Sequence, residues 1–248
     1  LRRQRQMCIR DRAIVSDGGI SLRFTADIHE VTYTRVAGNG FEENDEVGVF
    51  ALVGSSTMKE ERYADNLRFF RTSEKIFESS EPIYYPDDEV TLRLISYYPY
   101  QEEGVDMGES TIPVVVEADQ NLSVDYFCSD FLVASQNLQS APKGAIALHY
   151  DHKFFKLKIA LVGKEGEELQ GILDTDPKLS VCGFYSKAIY DFQKETYSAF
   201  SDEKSITPAG KWEIQGNRLS GKEVILIPQE TTLGYQYIAL EVGGQTYT

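Results

Sequence analysis

Between Ala145 and Leu161 the apolar residues recur at every second position, a period that an extended strand, and no helix, presents to one face. Ile146, Leu148, Tyr150, His152 and Phe154 share one face, whereas Phe155, Leu157, Ile159 and Leu161 share a face in the second half. The parity flips near Phe154. A flip requires a bulge or a corner, because a one-residue slip exchanges the buried and wet faces. Further strand-like runs occupy Leu22–Ile28, Val47–Leu52, Leu67–Phe70, Val90–Tyr98, Thr111–Val116, Tyr126–Ala134, Leu179–Phe184, Ala188–Phe192, Val224–Ile227 and Tyr235–Val242. Turn formers such as Gly38-Asn39-Gly40, Pro86-Asp87-Asp88 and Asp174-Thr175-Asp176-Pro177 separate them. Many short strands with regular punctuation and no long amphipathic helix predict an all-β chain built of sandwiches.

The first twelve residues do not enter that reading. Arg2–Arg12, RRQRQMCIRDR, matches the translation of a transposase adapter used in sequencing libraries, so residues 1–12 are read as an artefactual leader. About 236 residues then remain, enough for two β domains. The most polar connector near the midpoint is Gln136–Gly144. The expected division is therefore an N-terminal β-sandwich domain at 13–140 and a C-terminal one at 141–248.

Charge narrows the partners. The whole chain carries a formal net charge of −14, and the leader holds five Arg and one Asp. Without it, 20 basic residues face 38 acidic ones. Such a surface disfavours nucleic acid and anionic headgroups, which are met by clusters of Lys and Arg. No run approaches the roughly 18 apolar residues of a membrane helix.

No residue pattern marks a reaction. His149 and His152 flank Asp151, but residues three apart on a strand point to opposite faces, so His152 reads as a half-buried, hydrogen-bonded structural residue and not as a metal ligand. There is no G-x-S-x-G elbow, no phosphate loop and no calcium loop. The acidic pairs Glu42-Glu43, Asp45-Glu46 and Asp87-Asp88-Glu89 sit in polar, turn-like stretches, and nothing local singles out two carboxylates across a cleft. The expectation is a protein without catalytic residues, metal or cofactor. Outside the leader, Cys128 and Cys182 either pair or lie apart as simple thiols.

Tyrosine is the remaining chemical signal. Tyr84-Tyr85-Pro86 and Tyr97-Tyr98-Pro99-Tyr100 gather rings around two strand breaks. Exposed, Tyr97, Tyr98 and Tyr100 make a stacking platform for a glycan or a protein partner; buried, they fill the core and seal its corners.

Six segments, taken in order, carry a family resemblance: Asp45–Ala51, Asn66–Phe69, Tyr97–Tyr100, Asp130–Ala134, Leu148–Leu157 and Ile225–Gln229. Their order and spacing resemble the fimbrillin-like proteins of Bacteroidales over approximately residues 20–247. The resemblance implies two transthyretin-like β-sandwich domains in tandem, with this chain truncated at both ends. It implies a pilus subunit or accessory adhesin at the cell surface, in the outer membrane or the fimbrium. Such a protein joins other pilus subunits by β-strand complementation and meets the membrane only through a lipid anchor missing from this fragment. Host or bacterial surface glycans or proteins are further partners on this reading. Leu22–Ile28 is the strand suited to release, with Arg35 as the maturation cleavage point and an ordinary loop Arg as its alternative. His152, Pro228 and Gln229 fall in the matching segments as structural residues.

Overall fold

The structure, a computed structural model, describes residues 20–29, 40–86, 90–164 and 168–248, the side chains of Ser123 and Val124 excepted. The leader 1–12 and Arg35 lie outside the described residues. The fold is all-β, with two short helices among the described residues. It divides into two compact units, one of Leu1–Gly108 and Val133–Asp151, the other of Glu109–Leu132 and His152–Thr248.

In the first unit, hydrogen bonds run in a closed circuit. Its strands are β1 (Phe24–Ile28), β2 (Glu46–Val53), β3 (Ala64–Arg71), β4 (Phe77–Ser79), β5 (Leu92–Tyr98), β7 (Leu132–Leu138) and β8 (Ile146–His152), joined in the order β1-β4-β3-β2-β5-β7-β8 and back to β1. Strand β1 closes the ring, antiparallel to β4 at Phe24–Phe77 and parallel to β8 from Phe24–Ile146 to Ile28–Tyr150. In β8, Ile146, Leu148 and Tyr150 are buried and Ala147, His149 and Asp151 exposed, the alternation that the sequence predicts.

Strand β2 is buried on both faces from Val47 to Leu52, which explains its unbroken apolar run. Val49 lies opposite Ser96, whose hydroxyl is 2.6 Å from that of buried Tyr150. On the other face, Gly48 lies opposite Tyr97, and a Cβ at Gly48 would stand 2.2 Å from the Tyr97 ring. Phe50 stacks on the same ring at 5.8 Å and is covered by the Arg62 guanidinium at 5.2 Å. Arg62, its side chain fully buried, bonds the carbonyls of Met58, Val105 and Asp106 and the Asp65 carboxylate. It thereby clamps two loops over the outer face of β2.

The second unit holds two sheets. Strands β6 (Thr111–Val115), β10 (Lys178–Asp191), β11 (Thr196–Ile206), β14 (Ile238–Val242) and β15 (Gln245–Tyr247) form one. Strands β9 (Phe155–Val162), β12 (Glu213–Gln215) and β13 (Arg218–Leu226) form the other, in the order β12-β13-β9. The helices are α1 (Ser123–Cys128) and α2 (Leu169–Leu173). Buried Val224–Ile227, Val181, Tyr190, Phe131 and Trp212 belong to this unit's core.

Three sequence expectations are corrected. The boundary expected at 140/141 falls in the connection between β7 and β8, inside the first unit; the chain changes unit after Gly108, Leu132 and Asp151. A solvated hairpin loop and an interdomain linker are equally polar, so composition cannot separate them. The run Tyr126–Ala134 is not one strand: Tyr126–Cys128 close α1, and β7 begins at Leu132. The runs Leu179–Phe184 and Ala188–Phe192 are not separate strands either, since β10 passes through both. A bulge at Cys182–Gly183, with Gly183 at φ 73, shifts the buried set from Leu179 and Val181 to Phe184, Ser186, Ala188 and Tyr190. The parity flip near Phe154 is a corner, where β8 ends and β9 begins.

Candidate functional site

Strand β1 has the geometry of a keystone. Five residues long, it fills the place between β4 and β8, and without it the ring opens there. Its anchor is Phe24, 1% exposed, whose ring lies 4.6 Å from Phe69 and 5.5 Å from Phe77. Main-chain bonds extend the grip at both ends, from Leu22 N–H to Ile83 O and from His29 N–H to Tyr150 O, each 2.8 Å. On the outward side, Thr25 and Asp27 are exposed, His29 Nδ1 bonds Asp151 at 2.9 Å and the His29 ring stacks on His149 at 5.4 Å. A strand with one apolar anchor and a polar outer row is held by few side chains and many ladder bonds.

The tyrosines of the Tyr97–Tyr100 region divide by exposure. Tyr97 is fully buried and therefore offers no ring to a glycan or partner, which removes it from the expected platform. Its hydroxyl donates to Asn66 Oδ1 at 2.8 Å, and burial pushes its pKa up. Tyr98 and Tyr100 are half-buried, Tyr98 packing edge-on against Phe41 at 5.5 Å. The half-buried hydroxyl of Tyr100 is likewise pushed up by burial.

His152 hydrogen-bonds Asp130 through Nδ1 at 2.9 Å, while His149 and Asp151 point outward from β8. Among the described residues no three His, Cys, Asp or Glu side chains converge on a point that would hold a metal. Cys128 is exposed and Cys182 half-buried.

Two glutamines that sequence reasoning did not connect act alike. Pro228 and Gln229 follow the buried run Val224–Ile227, and the Gln229 amide pairs with both main-chain groups of Tyr185. This is the stretch of β10 between its pairings with β14, at Lys178–Val181, and with β6, at Lys187–Asp191. Fully buried Gln120 does the same to Ile225 on β13, with both bonds at 2.8 Å. Each side chain replaces a missing strand neighbour, so the adjoining main chain is satisfied without another strand.

Exposed borders remain in the second unit. Strand β11 pairs with β10 alone and carries Lys204, Asp202 and Glu203, with Asp202 bridging Lys187 and Lys204 at 3.1 and 2.9 Å. Charge, together with positive φ at Ala199 and Asp202, blunts that edge against unwanted pairing.

These features define an all-β protein of two strand-built units whose outstanding elements are sheet borders and a ring-closing strand. The chain belongs to the fimbrillin-like family, whose model matches residues 34–248. Among solved structures, it resembles a proposed cell adhesion protein from Bacteroides uniformis at 19% identity and TM-score 0.65, covering 94% of this chain and 84% of the other. A second proposed cell adhesion protein, from Bacteroides ovatus, aligns at 15% identity and TM-score 0.62 over 93% and 85% of the two chains. A fimbrial protein from Bacteroides vulgatus aligns at 17% identity and TM-score 0.52 over 89% and 82%. A comparison with curated proteins finds no match.

Proposed function

We propose that the chain is a fimbrial structural subunit or accessory adhesin that works by assembly and attachment at the cell surface, with no catalytic turnover. On this reading its units are transthyretin-like sandwiches in tandem, and a lipid anchor ties it to the outer membrane. Its partners are other pilus subunits, joined by β-strand exchange. Family membership supports the role, and the observation that carries the mechanism is the keystone position of β1. Cleavage after Arg35 would free β1, leaving the ladder groups of β4 and β8 and the Phe24 socket beside Phe69 and Phe77 for a strand of the next subunit.

Mass spectrometry of the protein recovered from assembled fibres tests this directly. The expected mature chain begins after Arg35 and lacks β1. An intact chain through Arg35 in such fibres overturns strand release, and a protein never found in fibres overturns the subunit role itself. A surface protein that binds glycans through an aromatic platform is the competing reading. With Tyr97 buried, that platform is reduced to Tyr98 and Tyr100.

A further inference from the structure

Beside the start of β1, the first unit has a surface cleft of about 440 Å³ lined by Ile20, Ser21, Arg23, Lys143 and Gly144. Both of its charged residues are cationic, on a chain of formal net charge −14. One wall is fixed by main-chain bonds: Leu22 N–H to Ile83 O at 2.8 Å and Tyr85 N–H to Ile20 O at 3.0 Å, with Ser21 bridged to Tyr84. The other is the loop before β8, tied in where Ile146 N–H meets Arg23 O at 2.8 Å. Among the described residues Arg23 has one carboxylate near it, Glu78 at 3.5 Å, which leaves most of its five guanidinium donors without a partner there. Lys143 is exposed and has no ion-pair partner among the described residues.

We infer that this cleft binds the carboxylate of an acidic saccharide unit, a uronic acid within a surface glycan. Arg23 and Lys143 supply the charge complement, Arg23 presenting a planar fork suited to a carboxylate. Ser21 and the Gly144 main chain offer hydrogen-bonding groups for ring hydroxyls, and half-exposed Ile20 offers an apolar contact for the sugar's C–H face. The volume lies in the range of small-ligand sites and exceeds what a bare inorganic anion fills. The chain's acidity argues against an extended polyanion or an acidic protein face, which the net charge repels, whereas a single acidic sugar feels chiefly the two nearby cations. Cleavage after Arg35 would carry away Ile20, Ser21 and Arg23, so the site belongs to the uncleaved chain, in the accessory-adhesin form of the proposed role, and the titration below reads it whether or not strand release occurs.

Isothermal titration of the full chain with trigalacturonic acid, with its neutral methyl ester and with inorganic sulfate tests the site. The expected result is binding of the acid, roughly tenfold weaker for the ester, with sulfate displacing the acid only at much higher concentration. Lys143→Glu, on an exposed loop, should abolish binding, and Arg23→Gln should weaken it roughly tenfold, with the thermal midpoints of both variants read alongside. Equal binding of acid and ester, no binding of the acid, full binding by a folded Lys143→Glu, or displacement by sulfate at equal concentration would each overturn the proposal.

Discussion

The Gln229 side chain accepts a hydrogen bond from the Tyr185 N–H at 3.0 Å and donates one to the Tyr185 carbonyl at 3.2 Å, completing the edge of β10 where neither β14 nor β6 reaches. Gln120 and Ile225 repeat the arrangement in a fully buried setting. Burial sets their relative worth. Gln120→Ala strands a buried N–H and a buried carbonyl and should cost about 2–4 kcal/mol, whereas Gln229→Ala lets water replace the amide and should cost about 1 kcal/mol. Urea denaturation midpoints of the two variants provide the comparison, and equal losses would contradict the account.

Gly183 and Tyr235 form a second dependent pair. A Cβ at Gly183 would stand 2.3 Å from the Tyr235 Cε1, and the residue holds φ 73. Gly183→Ala should therefore cost about 1–3 kcal/mol through strain and collision together. Adding Tyr235→Ala removes the collision and leaves the strain, so the double variant should lose less than the sum of the two single ones. Strict additivity in a double-mutant cycle would show that the ring moves aside freely.

Arg62 is the clamp on which the outer cover of β2 depends. Arg62→Met keeps much of the stem's volume but abandons three carbonyls and the Asp65 carboxylate. The expected cost is about 3–5 kcal/mol, accompanied by faster amide exchange in the loops around Met58 and Val105. Unchanged exchange there would mean that Phe50 and Tyr97 hold the cover by themselves.

Acid should weaken the second unit through Asp191. Burial alone would raise this carboxyl, but hydrogen bonds from the Gln193 N–H, the Ser110 hydroxyl and the Lys194 N–H, with the Lys194 charge, outweigh it and hold the pKa below the usual carboxylate value. A depressed folded pKa contributes stability above the unfolded value, near 4, and loses it as pH falls through the folded one. Asp191→Asn should thus be less stable than the parent at pH 7, with a narrower gap at a pH below the unfolded carboxyl value. Urea midpoints at the two pH values decide it; a gap independent of pH would remove Asp191 from the acid response.

The alternation of β8 was legible in the chain because burial of one sheet face leaves a mark at every second residue, and Ile146, Leu148 and Tyr150 carry it. Apolar runs of strand length located β2 and β5, and ordered motifs pointed to the family. Alternation failed on β11, whose exposed edge position leaves Thr196–Ile206 with little apolar periodicity, and on β10, where Gly183 resets the parity within one continuous strand. Tyr97, whose ring lies over Gly48, reads in sequence like its neighbours Tyr98 and Tyr100; only packing decides that it is core.

Local pattern determined that the chain is all-β and which faces of its regular strands are apolar. The tertiary structure alone decided that β1 closes a ring against β8, that the chain changes unit three times, that Gln120 caps Ile225 across 105 positions and that Arg23 meets Lys143 across a cleft. Side-chain periodicity records only whether a residue faces solvent, whereas pairing between distant segments is settled by hydrogen bonds and contacts that leave no repeating mark in the sequence.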